Sequence, residues 1–181
     1  MKKLLFIFLV LVLGASAQAQ VTNVSLQASG LTCSMCSKAV MLALQKVPFV
    51  DKVQVDIKNQ RYNLTFKNST AVDFDALAKA VEDAGFSVAK FNVVATVPDM
   101  QLQKDTHVKI GDQYFHFLNA KNQHVNGKTT FTIVDKSFVS AKDFKKQSAL
   151  STMPCVLTGR AESCCQKDGV SGQTRVYHAI I

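Results

Sequence analysis

Tryptophan is absent from this chain, and proline occurs only three times in 181 residues. Several groupings that announce enzymes are missing as well. There is no glycine-rich loop to cradle a phosphate, no paired carboxylates in a recognisable setting and no Ser-His-Asp set. His107, His116 and His124 are scattered, without the i, i+4 or His-Glu-x-x-His spacing of a helical metal site, and each reads as a surface or part-buried residue. These absences point to a protein that is not an enzyme. Acidic residues are few, 13 against 21 basic ones. The basic excess is spread thinly: residues 20–96 hold 8 basic and 6 acidic side chains, and residues 97–181 hold 11 and 7. Only "KDFKK" at 142–146 clusters, and it reads as a solvated helix face. Basic and aromatic residues do not interleave, which excludes a nucleic-acid stacking surface. A mild attraction to an anionic surface is all the charge licenses.

Long apolar runs are also lacking, apart from one at the start. Lys2 and Lys3 precede the apolar run Leu4–Leu13, and two small-x-small sites follow at Ala15–Ala17 and Ala17–Ala19. That is the pattern of a secretory signal peptide over residues 1–19, cleaved after Ala17 or Ala19. The run is well short of the roughly 20 residues a membrane span needs. No cysteine follows the cleavage sites, so a lipid anchor is not expected. The expectation is a periplasmic or secreted protein with no stable membrane span. Its five cysteines, at 33, 36, 155, 164 and 165, would then lie where disulfides persist. Five is odd, so at least one thiol stays free, binds a metal or pairs between chains.

Residues 20–96 alternate in an ordered way. "VTNVSLQA" puts Val24, Leu26 and Ala28 on one strand face. Cys36, Ala39, Val40, Ala43, Leu44 and Val47 fall at helical spacing, and Pro48 stops that helix. "VQVDI" and "RYNLTF" form a hairpin pattern, with Val53, Val55 and Ile57 facing together. "DFDALAKAVEDAG" is a helix that Asp73 can cap and Gly85 ends, and "FSVAKFNVV" closes the unit. The order is βαββαβ, the ferredoxin-like split βαβ.

Inside that unit, Cys33 and Cys36 stand two residues apart in "GLTCSMCSKAV". The first falls on a loop after a strand, the second in the first turn of a helix. Two thiols so placed converge, and the helix N-terminus favours the thiolate. Such a pair can hold a soft ion, exchange electrons as a thiol–disulfide oxidoreductase, or staple a turn. Two sulfurs in a near-linear arrangement suit Cu(I) or Hg(II). Zn(II) usually takes four ligands, and this half offers no second Cys or His pair. A thioredoxin-like active site is disfavoured because no Trp adjoins the pair, the downstream order is ββαβ, and no proline precedes a later strand.

The stretch "GLTCSMC" resembles the G-M-x-C-x-x-C loop of heavy-metal-associated domains, which occur in copper chaperones, copper-transporting P-type ATPases and periplasmic mercuric-ion-binding proteins. The resemblance covers about residues 21–96. "LQKVPFVDKVQVDI" resembles the family's passage from first helix to second strand, and "AVEDAGFSV" its second helix and closing turn. It implies that Cys33 and Cys36 are the metal ligands and that Phe86 packs near the metal loop. The motif alone leaves copper and mercury open; taken with the leader pattern, the expectation is an exported protein that captures Cu(I) and passes it to a metal transporter or efflux partner. Hg(II) scavenging is the alternative, and Zn(II) the third ion. Leu31 stands where the family usually has a core-packing Met, a swap of small cost. Phe49 stands where a Gly is usual.

Residues 97–103, "VPDMQLQ", read as a linker, and the pattern then changes. Residues 104–181 contain the strand candidates "THVKI", "QYFHFL", "TTFTIV", "PCVLTG" and "TRVYHAII", with "GD", "NG" and "DGVSG" as turns. One helix candidate, "SAKDFKKQSAL", separates the third from the fourth. That order suits an OB-like five-stranded barrel, or a small sandwich. The fold class expected for the whole is therefore α+β. Cys155 falls on a predicted strand, and Cys164 and Cys165 in the loop after it. Two readings stay open: a disulfide from Cys155 to Cys164 or Cys165, or a second soft-metal site aided by Met153 or His178.

Overall fold

A computed structural model describes residues 19–68 and 70–181. The signal-peptide expectation rests on a segment outside these residues, apart from Ala19.

The βαββαβ order is present. Strand β1 (Gln20–Ser29) leads to helix α1 (Ser34–Gln45), then to the hairpin β2 (Val50–Asp56) and β3 (Arg61–Phe66). Helix α2 (Phe74–Asp83) and strand β4 (Ser87–Leu102) complete the unit. The predicted caps form as well. The Asp73 carboxylate accepts a hydrogen bond from the Ala76 N–H at 3.2 Å, and Gly85 leaves the helix with φ +86°. Val40 and Leu44 of α1 and Phe74, Leu77, Ala78 and Val81 of α2 are buried against Val24, Leu26 and Ala28 of β1. The hairpin turn is longer than expected, and Ile57 sits exposed in it.

The second half differs from the expectation in three ways. First, residues 97–102 are not a linker: β4 continues through them to Leu102. Pro98 and Asp99 mark a bulge, where the pairing of β4 with β7 (Gln123–Ile133) skips from Val97–Gly127 to Met100–Val125. A bulge tolerates a residue with no N–H to donate, so this proline bends the strand without ending it. Second, "PCVLTG" is not a strand. Cys155–Thr158 form one turn of helix, α4, with Pro154 before it and Gly159 in the left-handed conformation after it. The proline-start, glycine-stop asymmetry overrides the β-rich composition of Val and Thr.

Third, the strands do not close into an OB-like barrel. β5 (His107–Ile110), β6 (Gln113–Phe117), β7 and β8 (Val176–Ile180) join the first four in one open sheet, ordered β2-β3-β1-β4-β7-β8-β6-β5. β7 has β4 on one edge and β8 on the other, so it has no edge left for closure. Helix α3 (Ala141–Ser148), α4 and a 3₁₀ helix (Ser163–Asp168) fill the connection from β7 to β8.

Strand alternation divides this half between two layers. Phe115 and Phe117 of β6, Phe131 and Ile133 of β7, and Tyr177 of β8 join the core beneath α1 and α2. Leu118, Val134 and Val176 turn to the other face, where Cys155, Val156, Ala161, Cys165 and Val170 cover them. His116 stands two residues before Leu118 and His178 two after Val176, so both point the same way.

Candidate metal sites

The first site lies where β1 feeds α1. Gly30 turns the chain with φ +84°, and the Phe86 ring lies 3.7 Å from where a Cβ on Gly30 would stand. Leu31 tucks against the core, and Cys33 occupies the N-cap position of α1 in extended conformation. Cys33 makes no side-chain cap bond, and the first turn of α1 carries no acidic residue. The two Sγ atoms stand 3.1 Å apart, with the Thr32 hydroxyl 3.7 Å from Cys36 Sγ. The Cys36 thiol is pulled down to about 7, first by the hydrogen bond from Cys33 and then by the backbone and hydroxyl of Thr32. Buried Tyr62 anchors the turn from below. Its hydroxyl lies 2.9 Å from Ser37 Oγ and donates to the Ser37 carbonyl at 3.2 Å. The pair is reachable from solvent, with Cys33 exposed and Cys36 part-buried above Tyr62.

The second half assembles a different cluster. Cys155 Sγ is fully buried. It lies 3.9 Å from His107 Nε2 and 3.7 Å from His116 Nδ1. Cys155, Cys164 and Cys165 form a second set of donor atoms, all within 4.8 Å of one another. Cys164 Sγ and Cys165 Sγ are 3.6 Å apart. Burial pushes the Cys155 thiol far up, and the adjoining Cys165 and Cys164 thiols add to this. Burial raises Cys165 too. His116 is lowered to about 4, by burial first and then by nearby His178 and His107, against the pull of Asp105. Its imidazole is therefore neutral at pH 7. Desolvation works against the Asp168 carboxylate, but its hydrogen bonds from His107 keep it below the ordinary carboxylate range.

The five cysteines therefore fall where two sites are conceivable, but the histidines depart from expectation. His107 and His116 are neither scattered nor superficial: they are buried and face one another across the β5–β6 hairpin. The signal was present in the sequence. A two-residue turn at Gly111–Asp112 sets Ile110 opposite Gln113, and three steps outward the same register sets His107 opposite His116. His124 is exposed beside Asp99 at 3.5 Å and takes no part. Met153 is partly buried against the smaller core layer.

The βαββαβ unit with its exposed Cys-x-x-Cys loop defines a class of small metal-binding domains. The chain belongs to the heavy-metal-associated domain family, whose model matches residues 25–87. The mercuric transport protein periplasmic component of Pseudomonas fluorescens is 36% identical over 86 residues, spanning 48% of this chain and 93% of that protein. A copper-transporting ATPase of Helicobacter pylori is 33% identical over 61 residues, 34% of this chain and 8% of the ATPase. Among solved structures, oxidized MerP from Ralstonia metallidurans CH34 is 34% identical, covering 39% of this chain and 94% of that one, with a TM-score of 0.34. Family membership makes the first half a soft-metal-binding domain. The cluster around Cys155 lies outside the matched residues.

Proposed function

We propose that this is an exported metallochaperone that captures Cu(I) between Cys33 and Cys36 and passes it to a membrane transporter or efflux protein. The observation that carries the reading is the exposed sulfur pair, 3.1 Å apart at the head of α1, with the Cys36 thiol lowered to about 7. A thiolate is the form that ligates, so part of the work of deprotonation is done before the ion arrives. Metal–sulfur bonds near 2.3 Å would set the sulfurs about 4.6 Å apart around a linear ion. The loop must therefore open on binding, while Tyr62 and Leu31 hold its base.

Two sulfurs leave the ion coordinatively open. A thiolate from a partner can add as a third ligand before Cys33 or Cys36 leaves, so the ion is never free. Export is supported by the apolar leader pattern and by the periplasmic relative. No helix among the described residues is long and apolar enough to cross a membrane.

The test is competition for Cu(I) against a chromogenic chelator. Cys33→Ser and Cys36→Ser should each weaken binding by at least 100-fold, because a single thiolate cannot hold the ion against the chelator. Unchanged affinity in the double variant would place the site elsewhere. Hg(II) scavenging is the second reading, favoured by the mercuric relative, and the same titration run with Hg(II) ranks the two ions. Thiol–disulfide exchange predicts Cys33-dependent insulin reduction, and a chain without turnover eliminates it.

A further inference from the structure

His107, His116 and His178 sit opposite one another on three adjacent strands, β5, β6 and β8. Residues in register point to the same face, so three buried imidazoles stand in a row. Each is held by an aspartate through one ring nitrogen. His107 Nδ1–H donates to Asp168 at 2.7 Å, His116 Nε2–H to Asp105 at 3.0 Å and His178 Nδ1–H to Asp135 at 2.6 Å. The other nitrogen of each ring then carries a lone pair. Two of these lone pairs face Cys155 Sγ, and the third, on His178 Nε2, is buried without a partner among the described residues.

One thiol has one proton and can satisfy one acceptor. Three lone pairs and one thiol hydrogen leave a buried, electron-rich pocket short of positive charge, which native interiors rarely tolerate. Aspartate holding the far nitrogen of a histidine is how proteins orient an imidazole toward a metal. The spacing also fits. Bonds of 2.3 Å to sulfur and about 2.05 Å to nitrogen set S and N roughly 3.6 to 3.8 Å apart around a tetrahedral or trigonal ion. The observed separations are 3.7 and 3.9 Å. Cys165 Sγ lies within 4.8 Å of Cys155 Sγ but outside that range of the two histidine nitrogens, so the shared donor set is His107, His116 and Cys155. A Cys–His–Asp nucleophile would use similar residues, but Cys155 has no exposed surface on which a substrate could meet it.

We infer that His107, His116 and Cys155 form a second, enclosed site for a borderline-to-soft cation, Zn(II) or Cu(I). His178 borders it. Binding releases the Cys155 thiol proton to solvent, and the burial of all three ligands encloses the ion, so it is resident and not cargo.

The test uses the reduced full chain carrying Cys33→Ser and Cys36→Ser, so failure here and failure of the exposed site are read separately. Zn(II) and Cu(I) are added in parallel and counted by native mass spectrometry, with Co(II) as the optical stand-in for zinc. The expected result is one ion per chain, a thiolate-to-Co(II) charge-transfer band and a mixed sulfur–nitrogen shell by X-ray absorption. Cys155→Ala should abolish the band. Asp168→Asn, which touches no ligand atom and meets His107 only at its backbone N–H and its far nitrogen, should weaken affinity by about 10- to 100-fold while the circular dichroism spectrum stays native. X-ray absorption on the parent keeps the test decisive if Cys155→Ala fails to fold. A reduced chain that retains neither ion, a shell without sulfur, or Cys155 isolated in a disulfide overturns the inference.

Discussion

Cys36 differs from an ordinary cysteine through its immediate neighbours. A thiol lowered from 9.0 to about 7 binds fewer protons in the folded chain than in the unfolded one between those values. The thiolate is therefore favoured as pH rises through 7, and the folded state loses that advantage as pH falls below it. Alkylation of the apo protein by iodoacetamide should rise with a midpoint near pH 7, and Cys33→Ser should move the midpoint up toward 9.0. A midpoint that ignores Cys33 would show that the close sulfur contact has no chemical effect. Tyr62→Phe removes two hydrogen bonds to Ser37 from a fully buried ring. A loss of about 1 kcal/mol in urea unfolding is expected. At this scale, Cys33 and Cys36 could be read from the sequence because their partners are three residues apart. His107, His116 and Cys155 could not be read singly, because a hairpin register and a distant helix turn bring them together.

Among the elements, α2 is governed by local rules and β4 is not. The Asp73 cap, the apolar stripe and the Gly85 stop of α2 are all written in consecutive residues. Asp73→Ala should cost about 1 kcal/mol, seen as a lower urea midpoint with an unchanged slope. β4 was harder to read because Pro98 and Asp99 have the composition of a break. Only the pairing with β7 shows that the same residues form a bulge inside a 16-residue strand. The helical turn at Cys155 misleads in the opposite way. Val156 and Thr158 favour strand, but Pro154 and Gly159 decide the conformation, and Cys155 is thereby set inward.

The whole molecule is held by contacts between its halves. Phe74 of α2 packs on Phe91 of β4 at 5.5 Å and on Tyr177 of β8 at 5.1 Å, and Phe91 packs edge-on to Phe138 at 4.9 Å. Arg175 reaches back to Asp75 of α2 at 2.7 Å, approaches Asp135 at 3.3 Å and lies over the Tyr177 ring at 4.1 Å. β7 covers an edge of β4 that a free βαββαβ unit would expose. Residues 20–96 expressed alone should therefore self-associate, because that edge and the Phe74–Phe91 surface lose their cover. Light scattering checks this, and a stable, soluble monomer would show that the second half is not needed to protect the first. None of this closure was readable from the pattern change after residue 96, which signals new strands but not which edge they join.

The central claim is that Cys33 and Cys36 together hold the cargo ion. Native mass spectrometry of the reduced chain with excess Cu(I), beside Cys33→Ser/Cys36→Ser, tests it most directly. The account predicts one ion fewer per chain in the double variant than in the wild type. Equal ion counts in the two proteins would contradict it.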